Sequence, residues 1–127
     1  MMSVAFILGW ILAVALVAVG LVAVAAPHEL ARRYGVAVHG PDGAAFVRAT
    51  GVRDIAIGIV LGATAYLHSL PLLIVLAIVG IVVSIADLRI VTHHGQTHRY
   101  HAAHAVHASG VVAFVLVLAM ALFAIGR

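Results

Sequence analysis

Apolar residues in this chain follow neither the period of a half-buried strand nor that of an amphipathic helix; they run on continuously. Four predominantly apolar stretches, about Val4 to Ala26, Gly43 to His68, Pro71 to Val91 and His101 to Ile125, are separated by short segments where Pro, Gly, Arg and His concentrate. Roughly 20 apolar residues match the thickness of a bilayer's hydrocarbon core. Lipid offers no partner to an unpaired backbone group, so only helices or closed barrels cross it, and the alternation of barrel strands is absent here. The pattern predicts an all-α fold: a transmembrane four-helix bundle in which residues 1–127 form a single domain.

The connections sharpen the arrangement. His68-Ser69-Leu70-Pro71 reads as a tight turn, with Pro71 suited to the first turn of the third helix, which makes the second and third helices antiparallel neighbours. The segment from Pro27 to Asp42 reads as a longer loop ending in Asp42 as N-cap of the second helix, and Thr92 to Tyr100 as a polar, histidine-rich loop. Gly58 with Gly62, and Gly80 with Ser84, have the four-residue spacing of small residues that lets membrane helices approach, and ordinary helix packing explains them.

Composition excludes a soluble fold. With 65% hydrophobic and 9% charged residues over 127 positions, the chain has more apolar surface than one soluble core of this size can hide. The first span ends in Ala-Val-Ala-Ala-Pro, but its apolar run exceeds a signal-peptide core and no positive segment precedes it, so it reads as retained. There is no cysteine, which removes disulfides and thiol chemistry. There is also no lysine, so orientation rests on the arginines. Arg32, Arg33, Arg48, Arg53, Arg89 and Arg99 fall towards one face and only Arg127 towards the other; the positive-inside rule makes the first face cytoplasmic and places both termini outside. A multi-pass protein of the cell (inner or plasma) membrane is expected. The net charge of +3 is absorbed by this topology and leaves no nucleic-acid footprint.

Charges inside the second span change the picture. Arg53 and Asp54 are adjacent where the chain should be crossing lipid, and an ionised group there costs about 2.5–3.5 kcal/mol on insertion scales unless it faces the bundle and finds partners. The topology brings Arg48, Arg53 and Asp54, then Ser84, Asp87 and Arg89, then His101, His104 and His107 to the cytoplasmic half from three helices. The opposite half is Val, Ala, Leu and Ile, bordered by Trp10, Tyr66 and His68. A polar cavity above a dry plug is expected, with a salt bridge from Arg53 or Arg48 to Asp87. Arg89 points away from Ser84 and Asp87 and reads as a snorkelling interfacial residue.

The segment Arg48-Ala-Thr-Gly-Val-Arg-Asp-Ile-Ala-Ile-Gly58, followed by Ala86-Asp87 late in the third span and His107 and Gly110 in the fourth, resembles the small four-helix membrane proteins grouped as domain of unknown function 4267. The resemblance extends over nearly the whole chain, and Gly51-Val-Arg-Asp54 is its most specific part. It implies the architecture and marks Arg48, Arg53, Asp54 and Asp87, but no substrate.

The histidines carry competing readings. His94, His98 and His101 are spaced so that an early start of the fourth helix would stack them as transition-metal or zinc ligands, but no Cys or Glu accompanies them and surface histidines are commonly solvated. Haem ligation needs a facing histidine, and only His68 at the wrong end is available. His107 lies deepest, near the level of Asp87, where it is either a packed, hydrogen-bonded side chain or an acid–base partner.

No phosphate-binding loop, serine elbow or HExxH motif is present, so phosphate chemistry, serine hydrolysis and zinc proteolysis are disfavoured, and no cofactor is expected. The leading expectation is a pocket of Arg53, Asp54, Asp87, Arg48 and His107 that binds a lipophilic small molecule from the membrane lipid. Two carboxylates held by one arginine can divide into an acid and a base and hydrolyse or isomerise that molecule, in the manner of an epoxide hydrolase or an isomerase. The alternatives are a proton, ion or small-solute transporter subunit, which would need a homodimer to complete a path, and a structural or accessory protein whose charges only set helix register.

Overall fold

A computed structural model describes residues 2–34, 38–94 and 100–126. Among them the only regular structure is helical: α1 (Met2–Ala25), α2 (Pro27–Arg33), α3 (Gly40–Tyr66), α4 (Leu70–His94) and α5 (Tyr100–Ile125). Three segments, Ser3–Ala25, Leu70–His93 and His104–Ile125, are long and apolar enough to cross a membrane, and only 22, 22 and 17% of their most apolar windows is buried within the protein. The remaining apolar surface needs lipid to cover it, which makes this a membrane protein. The second expected span falls outside that class, because α3 carries Asp42, Arg48, Arg53 and Asp54.

Two boundaries differ from the sequence expectation. The stretch after α1 is partly helical: Pro27 starts α2, where its fixed φ and missing N–H suit a first turn, and Pro27 and Ala31 turn inward while Arg32 and Arg33 stay exposed. Asp42 is not the N-cap of α3. His39 is, without a side-chain cap bond; Gly40 takes φ +66°, Pro41 continues the first turn, and Asp42 is left as an acidic residue within it. The expected turn before α4 is present, with Ser69 N–H donating to the Thr64 carbonyl and the Ser69 carbonyl accepting from Leu73 N–H. His68 there adopts φ 52° and sets its ring edge-on to Phe6 at 4.9 Å.

Neighbouring long helices are antiparallel, but packing is unequal. α1 lies extensively on α3, and α4 on α5, whereas α3 and α4 touch little despite their short turn. The small residues explain this division. A methyl group at Gly51 would lie 2.7 Å from the Gly20 carbonyl oxygen, and one at Gly58 would lie 2.9 Å from that of Ala13, so α1 and α3 meet backbone to backbone. Gly80 receives the Phe114 ring and Gly110 the Ser84 hydroxyl, which seats α5 on α4. The two spaced small pairs of the sequence therefore face different partners rather than each other. Leu61, Leu73, Ala77, Phe114 and Val117 join the two helix pairs in one buried core at the end bearing the α3–α4 turn.

The close approach can be measured. Gly51→Ala is expected to destabilise the protein, because an overpacking cost of about 1–3 kcal/mol against a backbone oxygen exceeds the gain of about 1 kcal/mol that Ala has over Gly in a helix. Gly62→Ala meets Ala13 Cβ and the Trp10 ring, each at 3.6 Å, which is ordinary van der Waals contact, and is expected to be neutral or stabilising. Thermal unfolding of both variants in one detergent compares them, and equal shifts would remove the close approach as a constraint.

Candidate functional site

Arg53 is the centre of the charged cluster. Its helical position on α3, two residues after Gly51, lets its long stem reach from the α1–α3 contact across to α4. Nη1 and Nη2 donate to Asp87 Oδ1 and Oδ2 at 3.1 and 2.7 Å, a two-pronged contact matching the planar guanidinium to the carboxylate. Nε and Nη2 also donate to Asp54 Oδ1 at 3.2 and 3.0 Å. One guanidinium therefore holds two carboxylates. Asp54 uses a single oxygen for this, so its Oδ2 stays outside the guanidinium contact. The Asp87 and Asp54 side chains are 16 and 20% exposed, and that of Arg53 35%, so the pairs are shielded but not sealed.

α5 adds the third wall. His107 Nδ1 lies 4.0 Å from Asp87 Oδ2, on a half-buried ring. One turn nearer the loop, His104 Nε2 is 3.0 Å from Thr92 Oγ1, while Thr92 Oγ1 donates its single proton to the Leu88 carbonyl at 2.6 Å. The imidazole must then donate at this contact, so the His104 Nε2 carries hydrogen. Among the described residues no fully buried side-chain nitrogen or oxygen lacks a partner.

Arg53, Asp54, Asp87 and His107 thus come together from α3, α4 and α5. Arg48 does not join them: its Nε donates to the Val24 carbonyl at 3.2 Å, on the exposed end of α1. With Gly51 seated against α1, Arg48, three residues earlier, is directed to the last turn of α1 and satisfies a carbonyl there that has no helical partner. Arg89 is exposed, in keeping with the direction read from its position. The imidazoles of the candidate metal set His94, His98 and His101 lie outside the described residues. Among the described residues no three His, Asp or Glu side chains gather as a metal site.

Two surface grooves lie away from the cluster. An apolar groove of about 400 Å³ runs along α1 and α3 beside Trp10, Val17, Gly58 and Gly62, and a second of about 530 Å³ lies between α1 and α2; neither is lined by Arg53, Asp54, Asp87 or His107. Tyr34, which ends α2, was not singled out by any motif. Burial, helped by the nearby Asp54 carboxylate, pushes its phenol above the usual tyrosine range, so it is a neutral hydrogen-bonding group beside the cluster. No spacing signal in the sequence links it to Asp54, because its position depends on the unexpected α2.

A double-mutant cycle tests the central contact. Arg53→Met leaves two carboxylates without a counter-charge and is expected to cost about 1.5–3 kcal/mol, the range for hydrogen bonds to charged groups. Asp87→Asn should cost less in the Arg53→Met background than in the parent, with a coupling of at least about 1 kcal/mol between the two sites. Equal costs in both backgrounds would show the residues to be independent.

Neither a curated protein nor a solved structure matches the chain. A family model does, over residues 13–122, a span that takes in the α1–α3 glycine contact, the Arg53 cluster and the α4–α5 contact. The chain belongs to the family described as domain of unknown function DUF4267.

Proposed function

We propose that the four long helices form a multi-pass bundle in the cell membrane with both termini extracytoplasmic, and that Arg53, Asp54, Asp87 and His107 act on a lipophilic small molecule by acid–base chemistry. The observation that carries this reading is the Arg53 guanidinium gripping two carboxylates from different helices, with an imidazole at 4.0 Å from one of them.

Depth supports access from the membrane edge. Asp87 is 17 residues beyond Leu70, or about 25 Å along a helix rising 1.5 Å per residue. In a hydrocarbon core of about 30 Å the cluster then sits near the cytoplasmic boundary, below the headgroups, rather than at the bilayer centre. Water and an amphiphile's polar end both reach that level, and the burial cost of the charges is correspondingly reduced.

The charge count supports proton chemistry. One guanidinium against two ionised carboxylates leaves one negative charge, which a single proton neutralises. In the proposed step Asp54, whose Oδ2 is outside the guanidinium grip, gives that proton to the substrate oxygen. Asp87, assisted by His107, takes a proton from water as its oxygen attacks carbon, or from the substrate carbon in an isomerisation. In ring opening the carbon–oxygen bond of an epoxide breaks, water adds, and the proton accepted at Asp87 returns to Asp54 to reset the pair. Arg53 holds both carboxylates in position throughout. Such a step needs no cofactor.

The same bridge between α3 and α4 favours one other reading, in which the charges only fix helix register. Asp54→Asn and Asp87→Asn separate the two when the purified protein, in nanodiscs, is offered lipophilic epoxides and double-bond isomers and products are followed by mass spectrometry. The catalytic reading expects variants with native helical content and a turnover lower by about 10²–10⁴, the usual contribution of a positioned acid or base. Variants that fail to assemble, together with a parent protein that converts no member of the panel, would favour register.

A further inference from the structure

α2 does more than connect two long helices. It folds back along the outer face of α1, so that Leu30, Arg33 and Tyr34 share a groove of about 530 Å³ with Ala18, Val19 and Val22. That volume is within the range of about 300–1,000 Å³ usual for small-molecule sites. The groove has two chemically distinct parts. Its floor is aliphatic and belongs to a helix apolar enough to cross a membrane, with Val22 46% exposed. Its rim is charged: Glu29 and Arg33 line it, and Arg33 and the adjacent Arg32, with side chains 74 and 72% exposed, both donate to Glu29.

The rim is not neutral. Two arginines against one glutamate leave one positive charge. Arg33 gives only Nε to Glu29, so its terminal nitrogens make no contact with that carboxylate and can form the paired hydrogen bonds that arginine makes to phosphate. These hydrogen bonds from Arg33 and Arg32 also hold the Glu29 carboxyl below the usual carboxylate range, so the pair keeps its charges at neutral pH. Depth fits the same chemistry. Val19 and Val22 are 16 and 19 residues beyond Ser3, about 24 and 29 Å along α1, at the edge of a core of about 30 Å. Aliphatic floor and cationic rim therefore meet where acyl chains give way to headgroups.

We infer that the α1–α2 groove is a binding site for one anionic phospholipid of the surrounding membrane, its acyl chain along Val19 and Val22 and its phosphate at Arg33. None of Arg53, Asp54, Asp87 and His107 lines this groove, and the assignment does not depend on the chemistry proposed for those residues. A cationic rim distinguishes it from the groove beside Trp10, whose lining is uncharged and suits any acyl chain.

Native mass spectrometry of the full chain, released from vesicles of phosphatidylglycerol and phosphatidylcholine in equal amounts, tests the assignment. The parent protein is expected to retain phosphatidylglycerol preferentially, and Arg33→Gln to lower that preference about fivefold, the usual effect of one arginine at an anionic surface. Glu29→Gln should raise the preference, because it frees both arginines, and Val19→Trp should displace lipid of either headgroup by filling the floor. Circular dichroism checks that each variant keeps its helices. Equal retention of the two lipids by the parent would overturn the assignment. A fall in preference for both Arg33→Gln and Glu29→Gln would do the same, since it would mean that the pair only holds α2 in place.

Discussion

The contact between Arg53 and Asp87 is the constraint on which the arrangement of this protein turns. α1 and α3 form one tight pair and α4 and α5 another, each closed by small residues that bring backbones or a ring into direct contact. Between the pairs, α3 and α4 are joined by a short turn and an apolar core at one end and by a guanidinium at the other. Removing that guanidinium would leave two carboxylates confined in a partly buried space, so the charge balance there rests on one side chain.

The two ends divide their tasks by polarity. At the turn end Leu61, Leu73 and Val117 are fully buried and exclude water. At the other end Arg53, Asp54, Asp87 and His107 meet in partly exposed surroundings, with Thr92 and His104 linking α4 and α5 one turn further out. Hydroxyls within the helices add little new polarity, because Thr50, Thr64 and Ser109 donate back to carbonyls of their own helix. A polar end and a dry, apolar end make a one-sided molecule.

Much of the charged cluster was legible before any coordinates. In so apolar a chain an arginine must be partnered, and topology left Asp87 as the acidic group on the facing helix at the right depth. The family resemblance marked Arg48, Arg53, Asp54 and Asp87, of which the last three meet, and of the glycines that carried it Gly51 lets α1 close on α3 and Gly110 receives Ser84. Arg48 was equally charged and equally placed by sequence, yet it turns to the Val24 carbonyl, because its direction depends on which face of α3 the glycines press against α1.

The sequence by itself determined the all-helical fold, the membrane setting and the need for Arg53 to find a carboxylate, because hydropathy, backbone satisfaction and the cost of a lone charge in lipid act on composition and order alone. Tertiary structure decided which helices pair closely, that one guanidinium serves both Asp54 and Asp87, and that α2 folds back to bring Arg33 and Tyr34 against the outer face of α1. Those outcomes depend on how closely the backbones approach at Gly20 and Gly51, and on the direction a seven-residue helix takes after Pro27, quantities that exist only once the helices are packed.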